Sequence, residues 1–140
     1  MILVVSIGVL GFLAFMATNL VRNSGKSDTE LLEFSVADTA TVDKIIITDA
    51  FQNKFEASRT DGVWVDKDGN CIVQEPIRTM LETFKNVEFK GYVPENSRKT
   101  ITHRMASSHT KVEIFQNGEW VKTWFVGFST QDHYVTYMLL

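Results

Sequence analysis

Polar and apolar positions divide the chain into two unequal regimes. From Met1 to Val21 no side chain is charged, and Arg22 ends the run. At about 1.5 Å rise per residue, a helix of that length spans about 30 Å, the thickness of a bilayer's hydrocarbon core. The run has no polar face, unlike a helix packed on the core of a soluble domain. Ile2, Val5, Val9, Phe12, Phe15 and Leu20 are its expected membrane-anchor residues. A retained anchor is expected rather than a cleaved signal peptide. The run exceeds the about 7–15 apolar residues of a usual signal, and no basic residue precedes it. Cleavage after Ala17 would also place Phe15 where a small residue is required. Small residues recur at Gly8, Gly11, Ala14 and Ala17, but at about 100° per residue they wind around the helix. Ala14 and Thr18 form one small-xxx-small pair. With Gly8 and Gly11 they are the candidate packing positions against another membrane helix.

Residues 23–30, Asn-Ser-Gly-Lys-Ser-Asp-Thr-Glu, read as a short polar tether. Beyond it, from 31 to 140, strand periodicity dominates. Lys44-Ile45-Ile46-Ile47-Thr48 is a β-branched run, and Lys54-Phe55-Glu56-Ala57-Ser58 alternates apolar and polar. Asp61-Gly62 predicts a tight hairpin into Val63-Trp64-Val65. A second turn at Asp66–Asn70 follows. The period then changes to that of a helix: Ile77, Met80, Leu81 and Phe84 share one face, with Pro76 suited to a first helical position. Val87–Val93 reverts to alternation and predicts a strand ending at Pro94. A weaker helix is predicted over Ser97–Ala106, capped by Asn96. Lys111–Phe115, Glu119–Val126 and Tyr134–Leu140 complete the strands, with a turn at Gln116-Asn117-Gly118.

The predicted fold class is α+β: one N-terminal transmembrane helix, then a mainly antiparallel β domain with one or two packed helices. The tripeptide Phe-Gln-Asn occurs at 51–53 and again at 115–117, each time between a β-branched and an alternating segment. Two related β-hairpin modules separated by a helix are therefore expected. The apolar final strand, Val135–Leu140, has no closing turn, and the domain is expected to be incomplete at its C-terminus.

Composition narrows the function classes. Net charge is −3 with acids and bases interspersed, which leaves no electrostatic footprint for nucleic acid. The single cysteine, Cys71, forms no internal disulfide. Asp66, Asp68 and Asn70 imitate the start of a calcium loop, but Cys71 stands where glycine is required and Ile77 where glutamate is. Turn chemistry is the expected reading. His103, His109 and His133 lack the spacing of a helical metal pair, and Ser107-Ser108-His109 are chain neighbours rather than a catalytic triad. Gly127-Phe128-Ser129 lacks the glycines and lysine of a phosphate loop. No catalytic residue, metal or cofactor is expected, and the chain is not expected to be an enzyme.

Aromatic residues are the remaining candidates for recognition. Trp64, Trp120, Trp124, Tyr134 and Tyr137 are available. Alternation places Trp120 and Trp124 on one strand face. Trp120, Trp124, Tyr134 and Tyr137 are the expected partner-interface residues.

In Phe34–Ala40 with Val42–Ile45, Asp61–Val65, Lys111–Phe115, Gly127–Asp132 and Thr136–Leu139, the chain resembles an uncharacterised bacterial family. That family is domain-of-unknown-function family 4340, found among Bacteroidetes-type envelope proteins. Members begin with a lysine-rich stretch and one membrane helix and run on past the last strand seen here, so the resemblance implies a chain incomplete at both ends. It implies an N-in anchor with the domain on the periplasmic side of the inner membrane. A bare charge count, with Arg22 and Lys26 on the C-terminal flank, points the other way. The expected partners are the lipid bilayer and other subunits of a membrane complex, for which the chain serves as a noncatalytic accessory or scaffolding subunit. The alternative is a tethered module binding a peptide or glycan.

Overall fold

A computed structural model describes residues Phe34–Leu140. The anchor and tether segments expected over 1–30, with their membrane-anchor and helix-packing positions, lie outside the described residues. No helix among the described residues is long and apolar enough to cross a membrane.

Six strands form one antiparallel sheet: β1 (Val42–Thr48), β2 (Lys54–Thr60), β3 (Val63–Asp66), β4 (Thr110–Gln116), β5 (Glu119–Ser129) and β6 (Thr136–Leu139). Two helices, α1 (Gln74–Asn86) and α2 (Glu95–Ser107), lie between β3 and β4 in the chain. The α+β class is thus observed. The sheet order is β3-β2-β1-β4-β5-β6. Each half is a three-stranded meander, and the first strands of the two halves pair antiparallel at the centre. Where two hairpin modules with one helix between them were expected, two three-stranded meanders stand with two helices between them. Their shared Phe-Gln-Asn tripeptides occupy different places. Phe51 to Asn53 lie in the β1–β2 turn, whereas Phe115 and Gln116 end β4 and only Asn117 enters the next turn.

Turn chemistry sets the hairpins. Asp61-Gly62 and Asn117-Gly118 hold positive φ at both positions, 52° and 82° in the first and 52° and 80° in the second. That handedness matches the twist of the strands they join. The two five-residue turns share a different device. Asp49 accepts the N–H groups of Phe51 and Asn53 and the Asn53 side-chain amide, and Asp66 does the same with Asp68 and Asn70.

The core lies on the sheet face covered by α1. Ile45, Ala57, Val112, Ile114 and Trp124 project from the strands onto Ile77, Leu81 and Phe84. The predicted helical stripe is therefore the packed one, with Met80 at its margin. The helix starts at Gln74, so Pro76 is its third residue rather than its first. In place of a side-chain cap, Gln74 accepts from the Trp64 N–H and donates to the Trp64 and Ile72 carbonyls.

The opposite face carries charge-laced rows. Lys44 pairs with Glu56 at 2.6 Å and Lys111 with Glu113 at 2.9 Å. Ile46 is buried between these rows, under the methylene stems of long charged side chains. At its β5–β6 end this face receives α2. Met105, the buried residue of that helix, packs where a Cβ on Gly127 would fall 3.0 Å from its Cγ. His109 stacks edge-on against Phe125. The helix runs from Glu95, two residues earlier than Ser97, and Pro94 rather than Asn96 holds the cap position.

Two expectations are corrected. Val87–Val93 is extended but not a strand: residues 89–93 make no backbone hydrogen bond to other described residues, and Gly91 has φ +149°. Alternation supplies two faces, but a strand also requires an edge to pair with. Trp120 and Trp124 do not share a face. The β4–β5 register shifts between Ile114, opposite Lys122, and Phe115, opposite Trp120. The extra residue, Val121, turns Trp120 to the face opposite Trp124.

Candidate functional site

The residues weighed for metal binding or catalysis are engaged in local structure. Asp66 spends both carboxylate oxygens on its turn, and the side-chain amide of Asn70 holds its carboxyl below the usual aspartate range. Asn53 acts likewise on Asp49. The Ser107 hydroxyl donates to the Arg104 carbonyl, the Ser108 N–H donates to the Met105 carbonyl, and His109 Nδ1 lies 2.8 Å from the same Met105 oxygen. This trio closes α2. His133 sits at φ 60° in the β5–β6 turn, where its N–H donates to the Thr130 carbonyl. Among the described residues there is no group of three or more His, Cys, Asp or Glu placed to hold a metal.

The aromatic candidates separate by burial. Trp124 is 2% exposed and stands edge-on to Phe84 in the core, with ring centroids 4.9 Å apart. It offers no surface to a partner, because the register of β5 points it under α1, and its place among the interface residues is withdrawn. Trp120 is 60% exposed. Its indole N–H donates to Thr123 Oγ1 at 2.9 Å, so the exposed ring carries no unmet polar demand. Val121 beside it is also exposed. The β-bulge thus presents an apolar Trp120–Val121 pair on the rim of the sheet.

Tyr134 and Tyr137 belong to a second locality. A cleft of about 260 Å³ opens between the extended segment 87–94 and β6, with Phe34 at one side. Phe34 stacks on Phe89 with centroids 6.2 Å apart and planes 9° from parallel, and Phe89 meets Tyr92 edge-on at 5.0 Å. This aromatic series leads from Phe34 to the outer surface, where Tyr92 is 74% exposed. Tyr137 and Met138 form the strand side of the cleft. Tyr137 also packs beside Phe128, over which the Arg104 guanidinium lies at 3.8 Å. Tyr134, in the turn bordering the cleft, is 87% exposed.

That turn is fixed internally. Asp132 accepts from the Thr130 hydroxyl and the Tyr134 N–H, and these bonds, the hydroxyl first, hold its carboxyl below the usual range. The charges of the extended segment and the start of α2 pair off locally, Lys90 with Glu88 at 2.6 Å and Arg98 with Glu95 at 2.9 Å. The cleft mouth is therefore aromatic and nearly neutral. Phe34, Phe89 and Tyr92 were not among the sequence-derived candidates. Their signal was the Gly91-Tyr92 step before Pro94, which interrupts the alternation, but a strand reading absorbs them into a sheet.

No family model, curated protein or solved structure matches the chain.

Proposed function

We propose that the chain is a single-pass membrane-tethered accessory subunit, noncatalytic, whose extracytoplasmic domain holds a partner of a larger inner-membrane complex through Trp120 and Val121. The observation that carries this reading is the bulge at Val121, which turns a tryptophan out of the sheet with its N–H already bonded. Bulges recur where a side chain must be re-aimed, and tryptophan is among the commonest anchors of protein interfaces. The uncharged run Met1–Val21 supports the membrane location, and the sequence resemblance to an envelope family supports the periplasmic side.

Co-purification of the full chain from native membranes tests the reading. Trp120→Ala is expected to lose a specific set of subunits, at least tenfold in recovery, with the fold unchanged by circular dichroism. Gln131→Ala, an exposed substitution in the β5–β6 turn, is expected to retain them. If Trp120→Ala recovers the same subunits as the unaltered chain, the assigned contact is wrong. A chain extracted from membranes by alkaline carbonate would remove the anchor as well.

A further inference from the structure

The two edges of the sheet are finished differently. At β3 the outer edge is occupied: Val65 bridges to Cys71, the Ile72 N–H donates to the Trp64 carbonyl, and the Gln74 side-chain amide satisfies the Trp64 N–H and carbonyl. At β6 no such closure exists among the described residues. Its only strand partner there is β5, and no residue outside that pairing hydrogen-bonds to the main chain of Thr136–Leu139. Natural sheet edges are commonly blunted by lysine, proline or an inward charge, and Thr136-Tyr137-Met138-Leu139 contains none of these.

Beside β6 stands the extended segment 87–94. It joins α1 on the core face to α2 on the opposite face, so it crosses next to the last strand and leaves the cleft of about 260 Å³ between. Residues 89–93 likewise have no main-chain partners among the described residues. The cleft thus separates two runs of unpaired backbone, with Phe89 and Tyr92 on one wall and Tyr137 and Met138 on the other. Drug-sized ligands take pockets of about 300–1,000 Å³, and a compact ligand would leave both backbone runs unanswered. The edge of another sheet is kept out by segment 87–94 itself. A single extended chain fits between them and answers the backbone groups.

Charge narrows the sequence of that chain. Glu88 pairs with Lys90 and Glu95 with Arg98, so a charged side chain inside the cleft meets no free counter-ion from these four. Arg104 differs. Its guanidinium lies 3.8 Å over the Phe128 ring and makes no ion pair with any described residue. Thr130 and Tyr137 line both its hollow and the cleft. Asp132, in the same hollow, spends its carboxylate on the Thr130 hydroxyl and the Tyr134 N–H. An arginine stacked on a ring keeps its planar fork of donors free for a carboxylate.

We propose that the cleft binds an extended peptide segment of a partner protein, apolar where it pairs with β6 as a seventh strand and carrying a carboxylate where it passes Arg104. Main-chain bonds to β6 supply the affinity, and the cleft rings select the apolar side chains. The site is separate from the Trp120–Val121 rim, and either can fail without the other.

Random decapeptides displayed on phage and panned against the immobilised full chain are the probe. Enriched sequences are expected to alternate apolar residues next to an aspartate or glutamate. The synthesised peptides are expected to slow amide exchange at 89–93 and in β6 by about tenfold, and to lose about tenfold in affinity when alternate main-chain N–H groups are methylated. Arg104→Gln, with circular dichroism unchanged, is expected to weaken the acidic peptide several-fold and to leave its uncharged amide analogue unaffected. Trp120→Ala is expected to bind both peptides normally, which keeps this test apart from that of the rim. Failure to enrich any sequence over an unrelated immobilised protein overturns the proposal. So does binding that survives methylation or that protects only the Trp120 rim. Residues 89–93 already protected in the chain alone would assign the cleft to this chain or a second copy of it and overturn the partner. Equal weakening of both peptides by Arg104→Gln overturns the carboxylate contact.

Discussion

Trp124 shows how one residue serves the core at a polar expense. Its ring fills the space under α1 against Phe84, yet its Nε1–H is buried without a hydrogen-bond partner among the described residues. A buried unsatisfied donor costs about 1–3 kcal/mol, while truncating a buried tryptophan to alanine costs about 3–5 kcal/mol through lost contacts and a cavity. The two effects oppose each other in Trp124→Phe, which removes the donor and keeps a ring. Trp124→Phe is expected to destabilise by about 1–2 kcal/mol, and Trp124→Ala by about 3–5 kcal/mol. Urea denaturation midpoints distinguish them. Equal losses for the two variants would mean that the indole N–H finds a partner in solution.

At the scale of elements, α2 is held far more lightly than α1. Helix α1 buries three large side chains, Ile77, Leu81 and Phe84, whereas α2 buries only Met105. Gly127 makes room for that methionine: a Cβ there would meet Met105 Cγ at 3.0 Å, Met105 Cε at 3.1 Å and the Tyr137 carbonyl oxygen at 3.1 Å. Gly127→Val is expected to cost about 1–3 kcal/mol by overpacking and to raise amide exchange through Glu95–Ser107. Unchanged protection of α2 would show that something other than this contact retains it. The same contrast explains what was legible in the sequence. The helical stripe at Ile77, Met80, Leu81 and Phe84 and the turns at Asp61-Gly62 and Asn117-Gly118 follow from residues adjacent in the chain. The fate of Val87–Val93 depends on whether a sheet edge is free to pair with it. The facing of Trp120 depends on a register shift against β4. Both are set by distant partners, so alternation alone reads the first as a strand and places the second beside Trp124. Of the exposed or cleft-lining aromatics, Trp120, Tyr134 and Tyr137 stand out in the sequence, while Phe89 and Tyr92 are hidden in the misread strand.

Across the whole described domain, the seam between β1 and β4 decides whether the two meanders fold as one unit. Ile45 and Ile114 face each other across it, both fully buried, and each adjoins its own meander through Ala57 on β2 or Lys122 on β5. The α1 residues and Trp124 extend the same core over both halves. A sheet of this order has no alternative surface along which to separate without exposing that core. Ile45→Val and Ile114→Val are each expected to cost about 0.5–1.5 kcal/mol, and the double variant to depart from additivity by at least about 0.5 kcal/mol because the two side chains touch a common space. Either substitution alone is expected to raise amide exchange in β2 and β5 together, through a single denaturation transition. Exchange confined to the meander carrying the substitution, or two resolved transitions, would show that the halves fold independently and that the seam is only a contact between them.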